Sequence, residues 1–215
     1  MTPSRCLIGL MLMLLLPGAC GGRDAWLHEP LPDRGAVVPP APTPAVGPRV
    51  RFTTSVGDFV VVLYEGHAPV TTANFLRYVD DGFYDGTIFH RVESEGSGLA
   101  VIQGGGRTPD LTEKPTREPI VNEASNGLSN VRGTIAMARL TDSDTATAQF
   151  FINYADNLVL DYGGQQNSGY AVFGVVVEGI EVIDRISLVP TQHVAGTNHN
   201  SVPMVEVLIE RARRD

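Results

Sequence analysis

Arg91 stands in the run Phe89-His90-Arg91-Val92, and Gln103 follows after an eleven-residue segment, at the head of Gly104-Gly105-Gly106. A guanidinium never loses its charge and offers several N–H donors, so it can stabilise a lone pair without acting as base or nucleophile. Taken singly, an arginine on a strand reads as a solvated or paired charge, His90 as a structural histidine and Phe151 as core. The glycine triplet could suggest a phosphate cradle, but no helix N-terminus follows to supply the dipole, so it reads as a strand end running into a loop. Cys6 and Cys20 are the sole cysteines, which excludes a cysteine-based zinc site and any disulfide beyond residue 20. His193 and His199 flank a Gly-containing loop and are not read as a metal site. There is no G-x-S-x-G elbow. The net charge of −8 argues against a nucleic-acid partner, which needs a basic face, and the basic run Arg211-Ala212-Arg213-Arg214 reads as a solvated tail.

Elements able to position such groups begin at Arg49. Val50 and Phe52 alternate with Arg51 and Thr53, the period of a half-buried strand. Gly57-Asp58 then turns the chain into a second strand through Tyr64, making a hairpin. Between Pro69 and Gly82, Ala73, Leu76 and Val79 recur at helical spacing; the proline can open a helix and the glycine can close it. Short apolar strands follow at 133–140, 149–154, 170–177 and 202–211, with a second short helix at 179–186 before the last. Many strands, two helices and no βαβ rhythm predict a mostly β fold, a closed antiparallel barrel capped by two α-helices. The hydrophobic content of 43% is sufficient for such a core.

The N-terminal region is of a different kind. Arg5 precedes an apolar run at 6–16, too short for a bilayer span of about 20 residues, and Gly18, Ala19 and Cys20 follow. Residues 1–20 have the shape of a signal peptide whose end resembles a lipobox, with Pro17 where an aliphatic residue is usual. Cys20 is the candidate lipidation site, and acyl chains there would hold the protein on a membrane. Gly21 after the cysteine resembles the sorting pattern for the outer membrane, facing the periplasm, so a lipid-anchored envelope protein is expected. Residues 21–48 hold seven prolines and read as a semi-rigid, polyproline II-like linker; 49–215 form the folded domain.

Six blocks change the reading of the single residues: Phe89-His90-Arg91-Val92, Val101 through Gly106, Asn122-Glu123-Ala124, Gly133 through Arg139, Ser143 through Asn153, and Tyr170 through Val177. In this order, from about 49 to 211, they resemble the cyclophilin family of peptidyl-prolyl isomerases, most closely its bacterial periplasmic branch. The resemblance implies an eight-stranded antiparallel closed β-barrel, with a peptide groove on its outer face, and a monomer that takes unfolded or Pro-containing polypeptides, with no cofactor and no metal. Arg91 matches the catalytic arginine and Gln103 the glutamine that orients it; Phe151 completes the catalytic set. Gln149, Phe151 and Leu160 match groove residues, and Ala138 and Arg139 the strand whose backbone pairs with peptide. Tyr170 stands where eukaryotic members have histidine and bacterial members tyrosine. Ala100 and Val101 occupy the places of an aromatic and a methionine, and Val159 that of a tryptophan or phenylalanine.

Those residue types suit the reaction. Rotation about an X-Pro amide is opposed by a barrier of about 18–20 kcal/mol, and no covalent bond need break. A donor aimed at the prolyl nitrogen as it becomes pyramidal acts only in the twisted state, which is what acceleration requires. With Ala100, Val101 and Val159 in place of larger groups, and with a lengthened segment that includes a loop from Glu93 to Gly98, the proline pocket is expected to be shallower or rebuilt by that loop. Two functions therefore stand side by side: an isomerase acting on exported proteins, and a weakly catalytic module that grips Pro-containing segments on the same fold.

Overall fold

The computed structural model describes residues 46–194 and 200–215; the expectations for residues 1–45, Cys20 included, and for His199 lie outside them. The hairpin forms as its alternation requires: β1 (Arg49–Thr54) pairs antiparallel with β2 (Gly57–Leu63), Phe52 opposite Phe59. After α1 (Pro69–Asp80) come β3 (Thr87–Glu93), β4 (Val101–Gly104), β5 (Thr134–Met137), β6 (Phe150–Asn153) and β7 (Val172–Glu178). The chain ends with α2 (Ile180–Ser187), a short β8 (Thr191–Gln192) paired with β9 (Val202–Pro203), and β10 (Leu208–Arg214). Eight of the strands close into a barrel in the order β1-β10-β3-β4-β6-β5-β7-β2. No helix among the described residues is long and apolar enough to cross a membrane.

Period-two alternation fills the barrel. Phe52, Phe59, Phe89, Ile102, Ile135, Phe150, Ile152 and Phe173 point inward with neighbours from both helices, Phe75 and Val79 of α1 and Val182, Ile183 and Ile186 of α2. The Phe52 and Phe59 rings stack at 4.7 Å. Tyr84 is fully buried, its hydroxyl donating to Ala148 O at 2.9 Å, and burial pushes its pKa well above the ordinary phenol value, so it remains a donor. Pro69 opens α1, and the Glu123 carboxylate, part of one of the sequence blocks, accepts from the Val70 and Thr71 N–H groups at 3.1 and 2.8 Å. An acidic cap satisfies donors the first helical turn leaves open and complements its dipole.

Three expectations are corrected. The stretch 202–211 is not one strand: Pro203 has no N–H to extend the ladder, Ser201 has φ 56°, and Met204 N–H bonds back to Pro190 O, so the chain turns before β10. The basic C-terminal run is not a solvated tail but part of β10, paired with β1, with Arg213 on Asp85 and Arg214 on Asp80. Glu93 does not begin a loop; it closes β3 and is only 9% exposed.

Candidate active site

Strand register brings the distant motif residues together. Arg91 of β3 lies opposite Gln103 of β4, Gln103 opposite Phe151 of β6, Phe151 opposite Ala136 of β5, and Ala136 opposite Val172 of β7. Residues directly opposite on neighbouring strands share a face. One row therefore crosses five strands, from a guanidinium through an amide and a phenyl ring to two apolar side chains. Phe150 and Ile152 point into the barrel, so Phe151 between them points out, into a second apolar cluster with Val101, Ala136 and Val172. Leu128, Ala138, Leu160 and Tyr170 pack against it. At 4% exposure Phe151 is a floor rather than a rim.

The glycine triplet is explained by close packing and not by a phosphate. A Cβ at Gly104 would meet Phe89 Cδ1 at 2.7 Å, one at Gly105 would meet Phe150 Cε1 at 2.6 Å, and one at Gly106 would meet Gln149 Cγ at 2.3 Å. The bare backbone lets β4 pass over two core rings while leaving room for Gln149.

The polar half of the site is a relay of side chains. Arg91 Nη1 donates to Gln103 Oε1 at 3.1 Å, and Gln103 Nε2 donates to Gln149 Oε1 at 2.9 Å. Gln149 Nε2 donates to Glu113 Oε1 at 3.1 Å, and Glu113 lies 3.6 Å from Arg107 Nη2. On its other side Arg91 Nε donates to Glu93 Oε1 at 2.9 Å. Because Gln103 spends its amide N–H on Gln149, its carbonyl end is the one turned to the guanidinium. Open depressions of about 340 Å³ and 410 Å³ adjoin this relay, the first walled by Thr116, Ala138, Arg139 and Thr147, the second by Arg91, Glu93 and Arg107.

Most of the expected residues gather here. Arg91, Gln103, Gln149 and Phe151 form the row and relay; Val101, Ala138, Leu160 and Tyr170 belong to the outer cluster. Tyr170 meets Phe151 edge-on at 5.6 Å, and the Arg139 guanidinium lies 4.4 Å above the Tyr170 ring while Nε donates to Gly169 O. Arg139 is thus engaged in holding Tyr170. The Ala138 N–H is committed to Gln149 O at 3.0 Å. Val159 stands at the rim, 67% exposed. Ala100 is a correction: it is buried within the interior cluster, its N–H bonded to Asn157 Oδ1 at 2.8 Å, because it precedes Val101 and alternation turns it inward. Its small size therefore does not deepen or shorten the outer groove. Glu93, Arg107 and Glu113 were not anticipated. For Glu93 a signal was present, since i and i+2 on a strand share a face.

A closed antiparallel barrel with a guanidinium–amide relay beside an apolar trough on its outside defines a protein that works from its outer face. The model of the cyclophilin-type peptidyl-prolyl cis-trans isomerases matches residues 49–214. Among characterised proteins, peptidyl-prolyl cis-trans isomerase A of Dickeya dadantii is 48% identical over 174 residues, 81% of this chain and 88% of its own length. Isomerase B of Escherichia coli is 48% identical over 163 residues, 75% of this chain and 96% of its own. The crystal structure of a Cryptosporidium parvum cyclophilin-type isomerase with the dipeptide Ala-Pro superposes with a TM-score of 0.63 at 27% identity, covering 78% of this chain and 98% of that one. The chain belongs to the cyclophilin-type peptidyl-prolyl cis-trans isomerases, and its activity is the cis-trans isomerisation of X-Pro peptide bonds.

Proposed function

We propose that this protein isomerises X-Pro bonds in incompletely folded exported polypeptides, tethered through lipid at Cys20 to the outer membrane on its periplasmic side. The observation that carries the catalytic part is the row Arg91–Gln103–Phe151. The proline ring sits on Phe151 in the outer cluster. The guanidinium, turned by Gln103, donates to the prolyl nitrogen as the amide twists and that nitrogen gains a lone pair. The donor has nothing to accept it in the planar ground state, so its contribution falls on the barrier, each 1.36 kcal/mol giving tenfold in rate. The envelope location is supported by the sequence alone: the apolar run at 6–16, the small residues before Cys20 and the prolines from 30 to 48.

A protease-coupled assay tests the chemistry. Arg91→Ala should lower kcat/KM at least tenfold, about 1.4 kcal/mol of transition-state stabilisation, and Arg91→Lys should rescue poorly because a point charge lacks the planar fork. Wild-type turnover in Arg91→Ala would sink the mechanism. The second reading, a weakly catalytic Pro-binding module, is favoured by the exposed aliphatic rim at Val159; it predicts peptide binding with turnover near the uncatalysed rate in the same assay. For the tether, full-length protein should incorporate labelled palmitate and partition into detergent, and Cys20→Ser should do neither; equal behaviour of the two removes the lipid anchor.

A further inference from the structure

We infer that Glu93 is a positioning residue for Arg91, gripping the rear edge of the guanidinium so that its front edge is held over the groove. The inference rests on the isomerase reading of the site. Arg91 is a long side chain, 39% exposed, with many rotamers open to it when it is not held. A single neutral acceptor, the Gln103 carbonyl at 3.1 Å from Nη1, would leave it free to pivot. Glu93 supplies a second point on a different edge: Oε1 accepts from Nε at 2.9 Å and lies 2.9 Å from Nη2. Gln103 lies between Arg91 and Phe151 in the cross-strand row, so the edge that meets Gln103 is the one toward the proline floor. The edge held by Glu93 faces away from it.

The carboxylate is itself fixed. Glu93 ends β3 opposite Val101, and its backbone carbonyl accepts from the Tyr154 hydroxyl at 2.6 Å, a ring that is 2% exposed. Its side chain is 12% exposed, so the attraction to the guanidinium acts at an effective dielectric well below that of water. Two residues along a strand from Arg91, it must lie on the same face. A charge so placed could instead have acted as a lock that draws Arg91 off the groove. The geometry points the other way, because the Gln103 bond is kept intact while Glu93 takes the opposite edge.

The test uses the full-length chain in detergent. Glu93→Ala should lower kcat five- to tenfold with KM changed less than twofold, and Glu93→Gln, which keeps the acceptor, should recover at least half of the loss. In an Arg91→Lys background Glu93→Ala should cost less than a further twofold, since the residue acts through the guanidinium. Unchanged or raised kcat in Glu93→Ala, a loss confined to KM, or a full additional loss in the Arg91→Lys background would each overturn the assignment. The Arg91 Nε–H resonance reads the contact independently of turnover: resolved in wild type, it should be lost in Glu93→Ala and shifted in Glu93→Gln. If Glu93→Ala does not fold, Glu93→Gln takes its place in the cycle, and an unshifted signal there overturns the contact. Absence of turnover in wild type with that signal present would instead count against the isomerase reading.

Discussion

A guanidinium acts on a substrate to the extent that it is held, and at this site the holding is done by neutral amides and carboxylates in series rather than by one partner. Gln103 gives its N–H to Gln149 and its carbonyl to Arg91, so a change at Gln149 is felt at Arg91 through one intervening amide. The apolar side is less complete. Phe151 forms the floor, but the rim carries Val159, 67% exposed, in the 3₁₀ turn Leu158–Leu160. An indole at this exposed position, next to Leu160, would cover one side of a proline ring seated on Phe151. Half-burial of such a ring contributes about 1 kcal/mol, roughly fivefold in affinity. Val159→Trp should therefore tighten binding of a short Pro-containing peptide about fivefold in calorimetric titration, and an unchanged Kd would mean that peptide does not pass this rim.

Elements hold the row in register, and one buried ion pair fastens a helix to it. Arg132, just before β5, donates from Nη1 and Nη2 to the two carboxylate oxygens of Asp184 in α2, each at 2.9 Å, with side chains 12% and 9% exposed. Removing one partner leaves a buried charge uncompensated, at a cost of about 3–5 kcal/mol. Arg132→Met should lose that much in urea unfolding, and Arg132→Met with Asp184→Leu should lose distinctly less; equal losses would show that the pair does not act as a unit. Neither residue stood out in the sequence, because their pairing spans 52 positions and leaves no periodic trace. The hairpin at 49–64, the helix opened by Pro69 and the Phe151 strand were legible, since alternation and helical spacing are local. The local sequence gives no sign that Glu93 is buried, because Glu93-Ser94-Glu95-Gly96-Ser97-Gly98 is polar throughout and reads as a loop; what buries Glu93 is Arg91 on the same strand and Tyr154 on another part of the chain. The face that Ala100 takes is hidden in the sequence for a related reason: one position along a strand reverses the face.

At the scale of the whole molecule the barrel is closed by its first and last strands, β1 against β10, so closure depends on the two ends of the folded domain. Acidic partners cluster at this seam. Arg51 Nε donates to Asp215 at 2.9 Å, Arg213 Nη1 to Asp85 at 2.9 Å, and Arg214 bonds both oxygens of Asp80 at 2.7 Å. The Arg214 guanidinium holds the Asp80 carboxyl below the usual carboxylate range, and that of Arg51 does the same for Asp215. Burial pushes Asp85 upward, but hydrogen bonds from Arg213 and the Ala212 N–H outweigh it and leave it lowered as well. A carboxylate whose pKa is depressed on folding contributes stability above its unfolded pKa, here near 3.8, and loses it as pH falls through the folded value. Tm should therefore fall as pH drops below about 4, by a modest amount because these pairs are largely exposed and screened by solvent. At 1 M salt, where the screening length is about 3 Å, the pairs count for less and the acid limb should flatten. Asp80→Asn with Asp85→Asn should lower Tm at pH 7 and reduce the difference in Tm between pH 7 and pH 3, as scanning calorimetry would register. An acid limb as steep in this double variant as in wild type would place the acid-sensitive groups elsewhere than at the seam.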